Sequence, residues 1–122
     1  MQDSVCMIIR RAPYGTIQAA EALRHINGAI SGGQKTVVVL IEDGVYFAKK
    51  DQEAQGAGWT SLSAGVRQTM QGRYGDLVTF YLHDQSAFNR RIDTGDVLEG
   101  FKLVNSPEIA EIVGSAKTVM LF

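Results

Sequence analysis

The chain is poorest in the residues that most often carry chemistry. It has one cysteine, two histidines and one tryptophan in 122 residues. A single thiol, Cys6, cannot close an internal disulfide, and neither it nor His25 and His83 fall at metal-ligand spacing, so no metal and no cofactor is expected. Charge of one sign is also missing. Twelve basic and thirteen acidic residues leave a net charge of −1 with no block of like charges. A nucleic-acid or anionic-membrane partner would want a basic stripe, and none is present. The longest apolar runs, such as Val37 to Ile41, are far too short to span a bilayer. The opening Met1-Gln2-Asp3-Ser4 lacks the basic and apolar regions of a signal peptide. A cytoplasmic protein follows by elimination.

What remains is an ordinary soluble composition, 45% apolar and 20% charged, expected to form a single domain over residues 1–122. Five short apolar runs alternate with helical patterns, the mark of a mainly parallel sheet in a three-layer α/β domain of flavodoxin-like type. The strands are read as Val5 to Ile9, Thr36 to Ile41, Leu77 to Leu82, Phe101 to Val104 and Lys117 to Phe122. Ala19, Leu23, Ile26 and Ile30 recur at helical spacing after a Pro13-Tyr14-Gly15-Thr16 turn, and Gly32-Gly33 stops that helix. Leu62, Val66 and Met70 predict a second helix over Ser61 to Gly72. Val45 to Lys50 and Gln85 to Arg90 read as short helices, Gln52 to Gly58 and Arg91 to Gly100 as exposed loops. Ser106 is expected to cap a last helix that has Pro107 at its first position and Ile109, Ile112 and Val113 on its buried face.

Ligands of such sheets bind at the carboxyl ends of strands. Three segments meet that description: Arg10 to Thr16, Glu42 to Tyr46 and Leu82 to Ser86. Arg10 and Arg11 beside the Tyr14-Gly15-Thr16 turn could hold a small anion at a helix start, but the glycines are too sparse for a phosphate-cradling loop. A capped turn with surface arginines is the plainer reading. His83-Asp84 could be an acid/base pair, although neighbours on an extended strand point to opposite faces. A polar strand end, with Asp84 or Ser86 capping the next helix, is favoured. Glu42 and Asp43 could bind Mg²⁺, yet a turn with positive φ at Gly44 explains them better. Cys6 sits mid-strand between Val5 and Met7, where a buried, inert thiol is expected. Trp59 is read as packing or an oligomer contact.

The order of several motifs resembles the DsrE/DsrF (TusD/TusC) family of sulfur-relay proteins. The matching stretches are Pro13-Tyr14-Gly15-Thr16, Asp43-Gly44-Val45-Tyr46, Tyr74-Gly75, Arg90-Arg91 and Gly100-Phe101. The resemblance runs from the first strand to Phe122. It implies a DsrEFH-like variant of the flavodoxin-like fold and homo-oligomers, trimers or hexamers, or hetero-oligomers with related chains. It also implies sulfur carried as a persulfide on a cysteine after the third strand. Here that stretch, Phe80 to Ser86, has no cysteine. The expected role is therefore a non-catalytic subunit related to sulfur transfer. Two alternatives stay open: a carrier acting through Cys6, and a flavodoxin-like protein binding a small anion or cofactor. The candidate ligand pocket comprises Arg10, Arg11, Tyr14, Gly15, Thr16, Asp43, Gly44, Tyr46, His83 and Asp84.

Overall fold

A computed structural model describes residues 4–12, 18–49 and 62–122. Five strands, β1 (Ser4–Ile9), β2 (Lys35–Leu40), β3 (Val78–His83), β4 (Phe101–Val104) and β5 (Thr118–Leu121), form one sheet in the order β4-β3-β2-β1-β5, and every neighbouring pair is parallel. The helices are α1 (Gln18–Ser31), α2 (Leu62–Gln71), α3 (Asp84–Asn89) and α4 (Ser106–Ser115). The β-branched run Thr36-Val37-Val38-Val39 makes β2 the centre of the sheet, with β1 and β3 hydrogen-bonded on either side. Strand alternation then sorts the side chains. Met7, Ile9, Val38, Leu40, Phe80 and Leu82 share one face and are buried, together with Ala22 and Ile26 of α1 and Val66 of α2. Each such side chain contributes about 1.5–3 kcal/mol on burial, so this layer carries the fold.

The opposite face is thinner. Helix α4 covers it, forming a groove with Val37, Thr79 and Tyr81 of the sheet through Glu111, Ile112 and Ser115. No residue of α4 is fully buried, and Ile109, Ile112 and Val113, expected to be its buried face, are half-buried. The helix is capped by Asn105, not Ser106. The Asn105 side chain accepts from the Glu108 N–H at 2.9 Å, and the Glu108 carboxylate accepts from the Asn105 N–H, a reciprocal capping box. Glu108 stands three residues after Asn105 and completes the box there, which pushes Pro107 to the second helical position.

Other boundaries shift for identifiable reasons. Helix α1 ends where Gly33 takes φ +84°, with Gln34 N–H bonded to Ala29 O and Gly33 N–H to Ile30 O. The short helix expected from Val45 starts earlier, as a 3₁₀ helix over Glu42–Ala48 that buries Val45 and Phe47. Arg91 to Gly100 is not a wholly exposed loop: Ile92 and Leu98 are buried, and Leu98 N–H donates to Ala48 O at 2.8 Å. Thr16, the expected cap of α1, and the stretch from Gln52 to Trp59 lie outside the described residues.

The turn after β2 also differs from expectation. Glu42, not Gly44, has positive φ, at +50°. Gly44 is required by proximity instead: a Cβ there would lie 2.0 Å from Ile9 O and 2.6 Å from its carbonyl carbon. Both obstacles are β1 main chain, which cannot swing aside. Gly44→Ala is therefore expected to destabilise at or above the top of the usual overpacking range of about 1–3 kcal/mol. Urea unfolding checks this, and a loss under about 0.5 kcal/mol, the scatter of an ordinary surface substitution, would contradict the close approach.

Candidate functional site

Strand β3 stops at His83, whose backbone (φ −68°, ψ 120°) is still extended, and α3 starts at the next residue. This abrupt turn overrides the alternation that would send His83 and Asp84 to opposite faces. The two side chains come within 3.9 Å of each other, His83 Nε2 to Asp84 Oδ1. A closer partner takes each ring nitrogen. His83 Nδ1 lies 2.6 Å from Ser86 Oγ, and Nε2 lies 2.9 Å from Ser106 Oγ at the start of α4. Ser86 is buried, and its Oγ also accepts the Glu42 N–H at 2.9 Å.

Donor and acceptor matching distinguishes the two tautomers of a neutral ring. The Ser86 hydroxyl has one hydrogen, and one of its lone pairs is taken by Glu42 N–H. If the neutral imidazole carries its proton on Nε2, Ser86 O–H donates to Nδ1 and Nε2–H donates to Ser106 Oγ, so both ring nitrogens and the Ser86 hydroxyl are paired. The other tautomer leaves the buried Ser86 hydroxyl hydrogen without one of these acceptors. An unpaired buried donor costs about 1–3 kcal/mol, so for a neutral ring these bonds favour the first arrangement.

A second bridge lies alongside. Arg90, four residues after Ser86, donates through Nε to Asp43 Oδ1 at 2.9 Å and through Nη1 to Ser86 O at 3.2 Å. Asp84 Oδ1 accepts from Gln85 N–H at 2.6 Å. Neither Asp84 nor Ser86 is the N-cap of α3; that position belongs to His83, whose side chain does not bond to the helix amides. The ends of β2, β3 and β4 are thus joined by side chains of α3, the 3₁₀ helix and α4. Glu42, whose amide enters this network, has positive φ, a conformation that costs a non-glycine residue about 1–3 kcal/mol.

The expected site residues are only partly assembled. Asp43, His83 and Asp84 belong to this cluster, and Gly44 underlies it. Arg10 and Arg11 are exposed at the end of β1, where the Arg10 amide donates to Phe122 O at 2.9 Å. Tyr46 packs half-buried against the core. Tyr14, Gly15 and Thr16 lie outside the described residues. Among the described residues no group of three or more His, Cys, Asp or Glu could hold a metal ion. A hollow of about 680 Å³ lies elsewhere, at the start of β3, between Met70, Gly75, Val78, Phe80 and Gly100. Sequence reasoning does not single out Ser86, Ser106 or Arg90 as a ligand-site residue. The i, i+4 spacing of Ser86 and Arg90 is the available signal, while the contact of Ser106 with His83 depends on β4 lying beside β3.

Cys6 has no exposed surface. In the sheet it pairs with Val37 of β2 on one side and Val119 of β5 on the other. It stands three residues before the end of β1, about 10 Å back from the strand-end surface at the usual rise per residue. Burial pushes its thiol above the ordinary range by penalising the thiolate.

A family model described as DsrE/DsrF-like matches residues 3–122. The chain is 31% identical over 113 residues to the intracellular sulfur oxidation protein DsrF of Allochromatium vinosum, an alignment covering 88% of this chain and 81% of that protein. Among solved structures, the YchN protein from E. coli superposes with a TM-score of 0.81 at 22% identity, over the full length of both chains. Protein MTH1491 from Methanobacterium thermoautotrophicum superposes at 0.77 and 16% identity, over 99% of this chain and 100% of that one. At these identities the two structures bear on the fold alone.

Two outcomes test the site. Ser86→Ala removes the partner of both Glu42 N–H and His83 Nδ1 and is expected to cost about 1–3 kcal/mol, whereas Asp43→Asn, whose carboxylate is largely exposed, is expected to cost at most about 1 kcal/mol. Chemical denaturation of the two variants checks the order, and a larger loss for Asp43→Asn would overturn it. The raised thiol of Cys6 gives a pH dependence. The unfolded chain ionises its thiol above about pH 8.5, while the folded chain keeps its proton. Stability therefore falls as pH rises through that point, and it stops falling above the folded value. Relative to Cys6→Ala, the native chain should lose stability between about pH 8 and pH 10 in matched denaturation curves; parallel curves would contradict a buried thiol.

Proposed function

The chain belongs to the DsrE/DsrF-like family, and from that premise we propose that it acts in intracellular sulfur transfer as a subunit that does not itself carry the sulfur. The supporting observation is the placement of the one thiol. Cys6 is sealed within a central strand, and the end of β3 presents His83 and Asp84 where a carrier would need sulfur.

The chemistry of persulfide formation is why this placement supports the reading. Forming a persulfide requires a thiolate to attack the terminal sulfur of a donor and expel the donor's own thiolate. Such a thiol is accessible and sits in an electropositive setting that lowers its pKa. Cys6 has the opposite of each property: no exposure, apolar strand neighbours and a raised pKa. Opening the sheet to reach it would expose the core on which the domain depends. His83, Ser86 and Ser106 cannot substitute, because none has an atom that holds sulfane sulfur. In this reading the carrier cysteine belongs to a related chain in an oligomer. This chain contributes a shaped strand-end surface, with His83 and the Arg90–Asp43 pair fixing its contour.

Intact-protein mass after incubation with an inorganic polysulfide tests the reading. Native protein is expected to gain no sulfur, while urea-unfolded protein gains sulfur that Cys6→Ser abolishes. A gain of one sulfur by the native chain, absent in Cys6→Ser, would make Cys6 a carrier and end the proposal.

A further inference from the structure

The two edges of the sheet are built differently. Edge strand β4, Phe101-Lys102-Leu103-Val104, has an exposed lysine in its middle. A charge there blunts the tendency of an open edge to pair with another strand. Edge strand β5, Thr118-Val119-Met120-Leu121, has no charge, no proline and no glycine. Its Val119 and Leu121 are 46% and 61% exposed. Chains with no use for such an edge protect it.

The direction of its free main-chain groups follows from the ladder. Phe122 N–H donates to Ile8 O at 2.8 Å, and Phe122 O accepts from Arg10 N–H at 2.9 Å, so both groups of Phe122 face β1. Alternation turns Met120 the same way and points the N–H and C=O of Val119 and Leu121 outward, to the open side. Side chains alternate too. Val119 and Leu121 share the α4 face with their β1 neighbours Cys6 and Ile8, and Met120 lies with Met7 on the α1 face. There Met120 lines a groove of about 520 Å³ with Val5, Met7, His25, Gly28 and Ala29.

We propose that β5 is a homotypic pairing edge: it joins antiparallel to β5 of a second copy of this chain, about a two-fold axis at Met120. The geometry commits to this register. A two-fold axis perpendicular to the sheet keeps like faces together, which requires even register. Only the outward residues, Val119 and Leu121, have groups to exchange. Centring on Met120 sets Val119 opposite the second copy's Leu121, and each such pair makes both of its main-chain bonds. Met120 then faces its own copy in the intervening non-hydrogen-bonded position, beside the groove of each protomer. The charges agree with this arrangement. Every opposed side chain from Thr118 to Phe122 is uncharged, and Lys117 falls outside the paired stretch. Self-pairing of β4 in its middle would instead bring Lys102 near its own copy. The pairing is isologous and closes on itself, so it ends at two copies rather than growing into a fibre. It rests on the edge alone, independent of how the chain handles sulfur.

Site-directed crosslinking of the full chain tests both the pairing and its register. In the non-hydrogen-bonded pair the two Cα atoms lie about 4.5 Å apart, within disulfide range. Under mild oxidation Met120→Cys in a Cys6→Ser background is expected to become a covalent dimer. Val119→Cys, whose counterpart lies diagonally across the seam, is expected to crosslink at least about tenfold more slowly, its Cα atoms falling beyond bridging distance. Leu121→Lys places a charge on the edge without touching a bond to β1. It should lower the light-scattering mass of the otherwise native protein, because the β5 seam no longer forms, while circular dichroism shows the variant folded. Failure of Met120→Cys to crosslink, equal rates for the two cysteine variants, or an unchanged mass for Leu121→Lys would each overturn the proposal.

Discussion

The hydroxyl of Ser86 is the junction on which the strand-end architecture depends. It accepts the Glu42 amide from the end of β2, meets His83 Nδ1 from the end of β3, and reaches α4 through the other ring nitrogen and Ser106. Three connections that would otherwise be independent are fixed by one buried oxygen. The cost is the positive φ of Glu42, whose amide is held by Ser86 Oγ. Gly44 completes the arrangement by letting the 3₁₀ helix lie against the β1 main chain. A domain of this kind would otherwise keep its strand ends open for ligand. Here the ends of β2, β3 and β4 are bridged by the chain's own side chains.

The division of labour between the two faces of the sheet has functional consequences. The α1 and α2 face holds nearly all the large buried side chains, so the fold does not need a tightly packed α4 layer. That leaves α4 half-buried and β5 exposed on one side. Cys6 lies on the α4 face, with Val37 and Val119 as its neighbours in the sheet, and is fully buried.

Much of this is legible in the sequence, for physical reasons. The β-branched run in β2 and the continuous apolar run in β1 leave little choice but a buried parallel sheet, and the burial of Cys6 follows from its neighbours. The order of short motifs points to the family to which the chain belongs. What the sequence hides is the long-range polar pairing. Ser86 reads as a cap and Ser106 as another. Only the adjacency of β3 and β4 brings Ser106 to His83, and no local pattern encodes it. Asn105 outcompetes Ser106 as the cap because it has a glutamate three residues on. Gly44 is legible as a special position, but for the wrong reason: a turn signal and a steric signal look alike in sequence.

The central claim is that the one thiol of this chain is unavailable while the fold persists. The most direct test is the rate at which Cys6 of the native protein reacts with a small aromatic disulfide, followed against urea concentration. If the thiol is sealed, the rate tracks the unfolded fraction and becomes negligible in the absence of denaturant. A fast reaction in native buffer, insensitive to low urea, would contradict the account by showing that Cys6 is reached without unfolding.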